Sequence, residues 1–236
     1  MKLAARYRCF AAAFGIVALF ISSAASATLM SSTINLDFQP GNNTYAGQGV
    51  LGSASDTIWN GVGAVSSNLL FADGSGPSGV GATVTNHVGG ASNGSQVNPI
   101  LNDWIYGLGN VMTITVSGLL ANSAFDLAFY NGFYWQDFTI QGQAGLIAST
   151  HPDSFISSAG APPFTADKYA ILQNVMSDAN GVITILDTGV AGGRYGSSSA
   201  IAGLQIQQVN LVPEPTTVIL FGIGLAGVGF SRRRKV

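Results

Sequence analysis

Between Thr28 and Leu211 no long stretch repeats its apolar residues at the spacing of a helix. They come instead in ten short runs divided by glycine, asparagine, serine and aspartate. Short runs of this kind bounded by turn residues are the mark of β-strands, and this many of them point to a sandwich or barrel. The runs are Ile34–Phe38, Thr57–Val62, Asn68–Phe71, Ala82–Val88, Val111–Leu119, Ala124–Tyr130, Phe138–Gln141, Tyr169–Met176, Val182–Leu186 and Ile201–Val209. In Ala124–Tyr130 the period of two puts Phe125, Leu127 and Phe129 on one face. One segment, Asn98–Tyr106, reads as a short helix, with Asn98 as cap and Pro99 in the first turn. "SDANG" between Met176 and Val182 reads as a hairpin turn, because Asn and Gly both tolerate positive φ. The expectation is one all-β domain over residues 28–211, a jelly-roll-like β-sandwich.

Charge narrows the function. Only 8% of residues are charged, against about 25% in a soluble protein. Of nine basic residues, seven lie at the two ends. Between Thr28 and Val212, Lys168 and Arg194 face ten aspartates, a net −8. Nucleic acid binding needs clustered Lys and Arg, so a nucleic acid partner is excluded. The single cysteine, Cys9, lies near the N-terminus, which leaves residues 28–211 without disulfides, thiolate ligands or a cysteine nucleophile.

The two ends read as targeting segments. Residues 1–27 carry a basic start, an apolar run from Phe10 to Ile21 and "ASA" at Ala25–Ala27. That order defines a cleavable signal peptide. At the other end, residues 216–230 carry no charge and are followed by Arg232, Arg233, Arg234 and Lys235. About 20 apolar residues span a bilayer comfortably, and a shorter run can do so with adjustment. The basic end then stays on the cytoplasmic side of the inner membrane.

Pro213, Glu214 and Pro215, then the apolar run, then the arginines, resemble the PEP-CTERM sorting signal, which here spans residues 212–236. The resemblance implies a Gram-negative, exopolysaccharide-producing host. It also implies a membrane transpeptidase-like partner, exosortase, that acts at Pro213-Glu214-Pro215 and removes the helix. The destination is then the cell surface or extracellular matrix. Tails of this kind are also labelled as ice-binding-protein C-terminal domains, but Thr83/Thr85 and Thr113/Thr115 are isolated pairs with no repeating threonine array. Within the middle domain, "ITVSGL", "AFDLAFYNG", "FTIQG", "SDANGVITI" and "IAGLQI" resemble galactose-binding-like jelly rolls. That resemblance implies carbohydrate binding and supplies no fixed ligand motif.

Candidate chemistry is sparse. Ser92 in "GASNG" fits the G-x-S-x-G pattern, but "SQVNP" after it is no helix, and a nucleophile elbow needs one. His87 and His151 are the only histidines; Ser and Asp are plentiful enough for a triad, but spacing gives one no support, and a His-based metal site has no identifiable third ligand. The only glutamate, Glu214, is in the sorting motif, which leaves scattered aspartates as hydrolase carboxylates. Asp37 and Asp178 are candidate ligands for a structural calcium. The stretch "FYNGFYWQD" offers Tyr130, Tyr134, Trp135 and Asp137 as a glycan site, with rings to stack on sugar C–H faces and polar groups to read hydroxyls. The alternative is that these rings fill the core; Trp59 and Trp104 sit in more apolar settings and read as core. The expected function is a non-catalytic structural or adhesive surface protein without a cofactor. A lectin-like module is the alternative, and a secreted hydrolase the third reading.

Overall fold

A computed structural model describes residues 32–38, 44–92, 99–107, 109, 111–132, 134–152, 164, 167–191 and 197–209. The expected signal peptide at 1–27 and the apolar helix at 216–230 lie outside the described residues. Among those residues, no helix is long and apolar enough to cross a membrane.

The strands, in chain order, are β1 (Ile34–Phe38), β2 (Asn60–Val62), β3 (Val65–Ser66), β4 (Gly81–Thr85), β5 (Gly89–Ser92), β6 (Asp103–Gly107), β7 (Met112–Ser117), β8 (Ala124–Tyr130), β9 (Gln136–Ile140), β10 (Ile147–Thr150), β11 (Tyr169–Met176), β12 (Ile183–Gly189), β13 (Ser199–Ile201) and β14 (Gly203–Gln208). One sheet has the order β11-β8-β14-β1-β2, a second β10-β9-β12-β7-β4-β3, and a third β13-β6-β5. The all-β class is as the sequence indicates. The layering is more elaborate than a single jelly roll, since a third sheet is added.

Strand alternation explains how the two large sheets meet. On the first sheet, Ile34 and Leu36 of β1, Phe125, Leu127 and Phe129 of β8, and Leu204 and Ile206 of β14 point inward. On the second, Met112, Ile114 and Val116 of β7 do so, with Phe138 and Ile140 of β9 and Ile183 and Ile185 of β12. All of them join one hydrophobic core. The rings of Phe129 and Phe138 stack at 4.3 Å and 7° across it, one from each sheet.

The outer face of the first sheet is buried as well. Ala128 and Tyr130 of β8 and Ala202, just before β14, join Tyr45, Trp59, Ile100, Leu101, Trp104, Phe164 and Ala200 in a second core. Trp59 and Trp104 are thus core residues, as their apolar settings indicate. Gly203 makes this layer close: a Cβ there would stand 2.6 Å from Ile100 Cδ1 and 3.2 Å from the Leu36 carbonyl oxygen. β8 is therefore buried on both sides, although only one of its faces carries an obvious apolar alternation.

Three local readings are corrected. The helix expected over Asn98–Tyr106 is a single 3-10 turn at Pro99–Leu101, followed at once by β6. The Asn-Pro start signal is local. The next residues pair as a strand with β5 and β13 instead, which lays Trp104 against the second core. "SDANG" is a turn but not a hairpin: β11 pairs with β8 in the first sheet, while β12 pairs with β7 and β9 in the second. The chain turns a corner between sheets. Asp178 Oδ1 accepts from the Asn180 and Val182 amides at 2.8 and 2.9 Å. Gly181 takes φ +71°, and a Cβ there would collide with the Leu119 carbonyl. An Asn-Gly signal fixes where the chain reverses, while burial of the flanking apolar faces decides which sheet receives each strand. In the same way, Ile201–Val209 is two strands: β13 joins the third sheet and β14 the first, with a bend at Ala202 between them.

Candidate functional site

The four aromatic-loop candidates do not form one face. Tyr130 is fully buried in the second core. Its ring meets Trp59 edge-on at 5.6 Å and Phe164 at 4.8 Å. Its hydroxyl donates to Gln205 Oε1 at 2.5 Å and accepts from the Val50 amide at 2.7 Å, and burial raises its pKa further above the ordinary phenol value. Tyr130 is therefore a core residue and not part of an exposed stacking surface. Tyr134 is half-buried, edge-on to Trp104 at 6.2 Å. Asn131 shapes its turn: the Asn131 Nδ2 donates to the Tyr134 and Ala200 carbonyls, both at 3.1 Å. Trp135 is half-buried and stacks on the exposed His151 at 5.0 Å and 29°. Asp137 lies on the outward face of the second sheet, where its Oδ1 accepts from Ser149 Oγ.

Replacing Tyr130 by Phe removes the acceptor of the Val50 amide and one donor to Gln205. Stranding buried polar groups costs about 1–3 kcal/mol, so Tyr130→Phe should lose that much stability in urea unfolding, with an unchanged m-value. A loss below about 0.5 kcal/mol would show that water replaces the hydroxyl.

The two calcium candidates are not brought together. Asp37 pairs with Gly203, which pairs with Tyr130 at one end of β8. Asp178 follows Met176, which pairs with Ala124 at the other end. Six residues of strand separate those ends, roughly 20 Å. Asp178 is committed to its turn. Ser92 ends β5 as an exposed residue.

Asp37 sits instead in a buried polar layer between the first sheet and the second core. Gln205 Nε2 donates to Asn35 Oδ1 at 2.8 Å, Gln205 Oε1 accepts from the Leu51 amide at 2.9 Å, and Asp37 Oδ2 accepts from the Tyr45 amide at 2.7 Å. Asp37 Oδ1 has no partner. Burial pushes the Asp37 pKa up to about 7; the Tyr45 amide opposes that rise, and the nearby Asp103 carboxylate adds to it. Burial likewise raises Asp103, to about 6. The pair can hold protons near neutral pH, but only 0% of Asp37 and 5% of Asp103 reach solvent, so neither can contact a polysaccharide in this conformation.

A second buried polar group was not foreseen. Asp187, Gln136 and Thr150 are each 0% exposed, at the Tyr130 end of the sandwich. Burial holds the Asp187 carboxyl well above the usual carboxylate range, and the Ala200 amide lies near enough to offset part of that rise. That amide is not aligned well enough to complete a hydrogen bond of good geometry to either oxygen. A signal for these residues exists in the sequence: Asp187 continues the inward parity of Ile183 and Ile185, and Gln136 that of Phe138 and Ile140. At the opposite end a cleft of about 430 Å³ is lined by residues such as Gln143, Met176, Ser177, Asp178 and Thr184, with no aromatic ring among its lining residues.

Residues 211–235 match the PEP-CTERM protein-sorting motif. The chain therefore carries the signal of proteins that are exported, held transiently in the membrane and recognised by the processing enzyme exosortase. No curated protein matches the chain. The motif begins two residues after Val209, whose amide donates to the Ala124 carbonyl as the chain leaves the sandwich. The folded domain and its sorting signal are thus almost contiguous.

Proposed function

We propose that the chain is a non-catalytic structural or adhesive component of the cell surface or exopolysaccharide matrix of a Gram-negative bacterium. Exosortase acts at Pro213-Glu214-Pro215, and the layered β domain is its cargo. The observation that carries this reading is the sorting motif directly behind a β domain. The fate of the aromatic loop supports the structural role: Tyr130 is spent on the second core, Tyr134 leans on Trp104, and Trp135 is covered by His151.

A second reading, a lectin-like module on a galactose-binding-like jelly roll, rests on one feature. The Trp135–His151 pair is partly exposed on the approach to β9, with Asp137 two residues on. An indole face freed from His151 would stack on a sugar ring. Binding of the full-length chain, purified in detergent, to a panel of polysaccharides that includes the host's own matrix separates the two. The structural role predicts no saturable binding. Saturable binding abolished by Trp135→Ala would replace it with the lectin. Turnover of a glycan or ester, lost on an Asp or Ser92 substitution, would overturn both in favour of a hydrolase.

A further inference from the structure

We propose that the outer face of the second sheet binds an ordered water lattice, the surface of an ice crystal. In sequence Thr83/Thr85 and Thr113/Thr115 are isolated pairs, but the register brings them side by side. Thr83 lies directly opposite Thr115, and Thr85 opposite Thr113. Thr115 also lies opposite Thr184, and Thr113 opposite Leu186, which faces Thr139 on its other side. One row across β4, β7 and β12 is therefore Thr83, Thr115 and Thr184. The row beside it is Thr85, Thr113 and Leu186, continued by Thr139 on β9. Parity sets the direction of these side chains: Ala82, Val84, Ile114 and Ile185 alternate with them and join the core, so the threonines point outward. Each is half-buried or exposed. None of the six threonine hydroxyls hydrogen-bonds to another described residue. All of them belong to the folded domain and none to the sorting motif.

Spacing is what points to a lattice. Neighbouring strands stand about 4.8 Å apart, and alternate residues of one strand about 6.8 Å apart. Water joined tetrahedrally by hydrogen bonds of about 2.8 Å repeats at about 4.6 Å between second neighbours and about 7.5 Å between equivalent layers. The two grids agree to about a tenth in each direction. Twist turns each strand by about 20–25° against the next, so the matched patch is the three strands β4, β7 and β12. Threonine is stiff at χ1, so its hydroxyl and methyl are held in place before contact and little entropy is lost on binding. Hydroxyls extend the water network, while methyls lose unfavourable hydration. The array carries no charge. On β4, β7, β9 and β12 the one outward charged residue, Asp137, lies beyond it and accepts from Ser149 Oγ. The array has no aromatic ring to stack on a sugar. As a site for a second copy of the chain it is too small: the three strands present roughly 200 Å², against about 800 Å² per partner in a stable complex. A crystal face needs only to be matched in spacing.

The test grows an ice front slowly through the full-length protein in detergent, with an inert protein as control, and measures how the chain divides between ice and liquid. The unaltered chain should enter the ice about tenfold more than Thr115→Lys, which sets a long cation in the middle of the array. Thr57→Lys, at an exposed threonine outside the sheets, should behave like the unaltered chain. Should Thr115→Lys fail to fold, Thr85→Lys, at the exposed end of β4, should show the same loss. An unaltered chain excluded from ice as fully as the inert protein would overturn the surface. Ice uptake that survives both array substitutions would overturn it too. So would self-association, read by light scattering, that those substitutions abolish while ice uptake is unchanged.

Discussion

Phe129→Ala should be the most damaging single truncation in the domain, lowering stability by about 3–5 kcal/mol. Phe129 is 0% exposed and lies near the C-terminal end of β8, a strand that contributes to both hydrophobic cores. Its ring stacks on Phe138 of the opposite sheet, so the loss combines buried area, a cavity between the sheets and an aromatic contact worth about 0.5–1.5 kcal/mol. Domains are stable by about 5–15 kcal/mol in total, so the variant should melt about 10 °C lower. Val65→Ala, at a side chain 72% exposed on a short strand, should stay within about 0.5 kcal/mol and serves as the control. Thermal and urea unfolding of both variants check the contrast. A Phe129→Ala loss below about 1 kcal/mol would mean that the two sheets do not pack through this ring.

The second large effect is on pH dependence. The Asp37 pKa is raised from 3.8 to about 7 in the folded chain, chiefly by burial. The native state therefore binds a proton that the unfolded state releases across that interval, and stability is lost as pH rises through it. The contribution is complete below about pH 4 and gone above about pH 7. At about 1.4 kcal/mol per pH unit its full size is of the order of 4 kcal/mol. Asp103, raised to about 6, acts in the same direction. Asp37→Asn removes the Asp37 part, and its side-chain oxygen can still accept from the Tyr45 amide. The difference in unfolding free energy between the unaltered protein and Asp37→Asn should therefore shift by several kcal/mol against the unaltered protein between pH 4 and 8. A difference that is flat with pH would mean that Asp37 is solvated or paired with a cation.

How much of this was legible in sequence depends on how far the deciding contacts lie along the chain. β8 was legible to the residue, because Phe125, Leu127 and Phe129 alternate within a single run. The burial of its other face was not. Tyr130 is covered by Tyr45, Trp59, Ile100 and Phe164, from three distant segments, and no local pattern announces such a cover. The same cover makes Asp37, a candidate calcium ligand in the sequence, a buried acid. "SDANG" was legible as a turn, since Gly181 needs positive φ, but not as a corner between sheets. The Asn98-Pro99 start signal was outweighed by strand pairing of the residues just beyond it. The polar cluster at Asp187, Gln136 and Thr150 was legible in principle: a polar residue at inward parity is visible in "ITILD" and "QDFTI". The aromatic side chains, which stand out more in the sequence, mostly serve packing.

On the proposed function, this β domain leaves the cell as cargo of the sorting signal at its C-terminal side. Intact-mass analysis of the protein recovered from host cells, with and without a functional exosortase, tests it most directly. Processing at Pro213-Glu214-Pro215 predicts a mature species that lacks the apolar run and the arginines, found at the surface or in the medium, and an unprocessed membrane-bound species when exosortase is absent. A chain that keeps residues 216–236 in cells with active exosortase, or that loses them equally without it, would contradict the account.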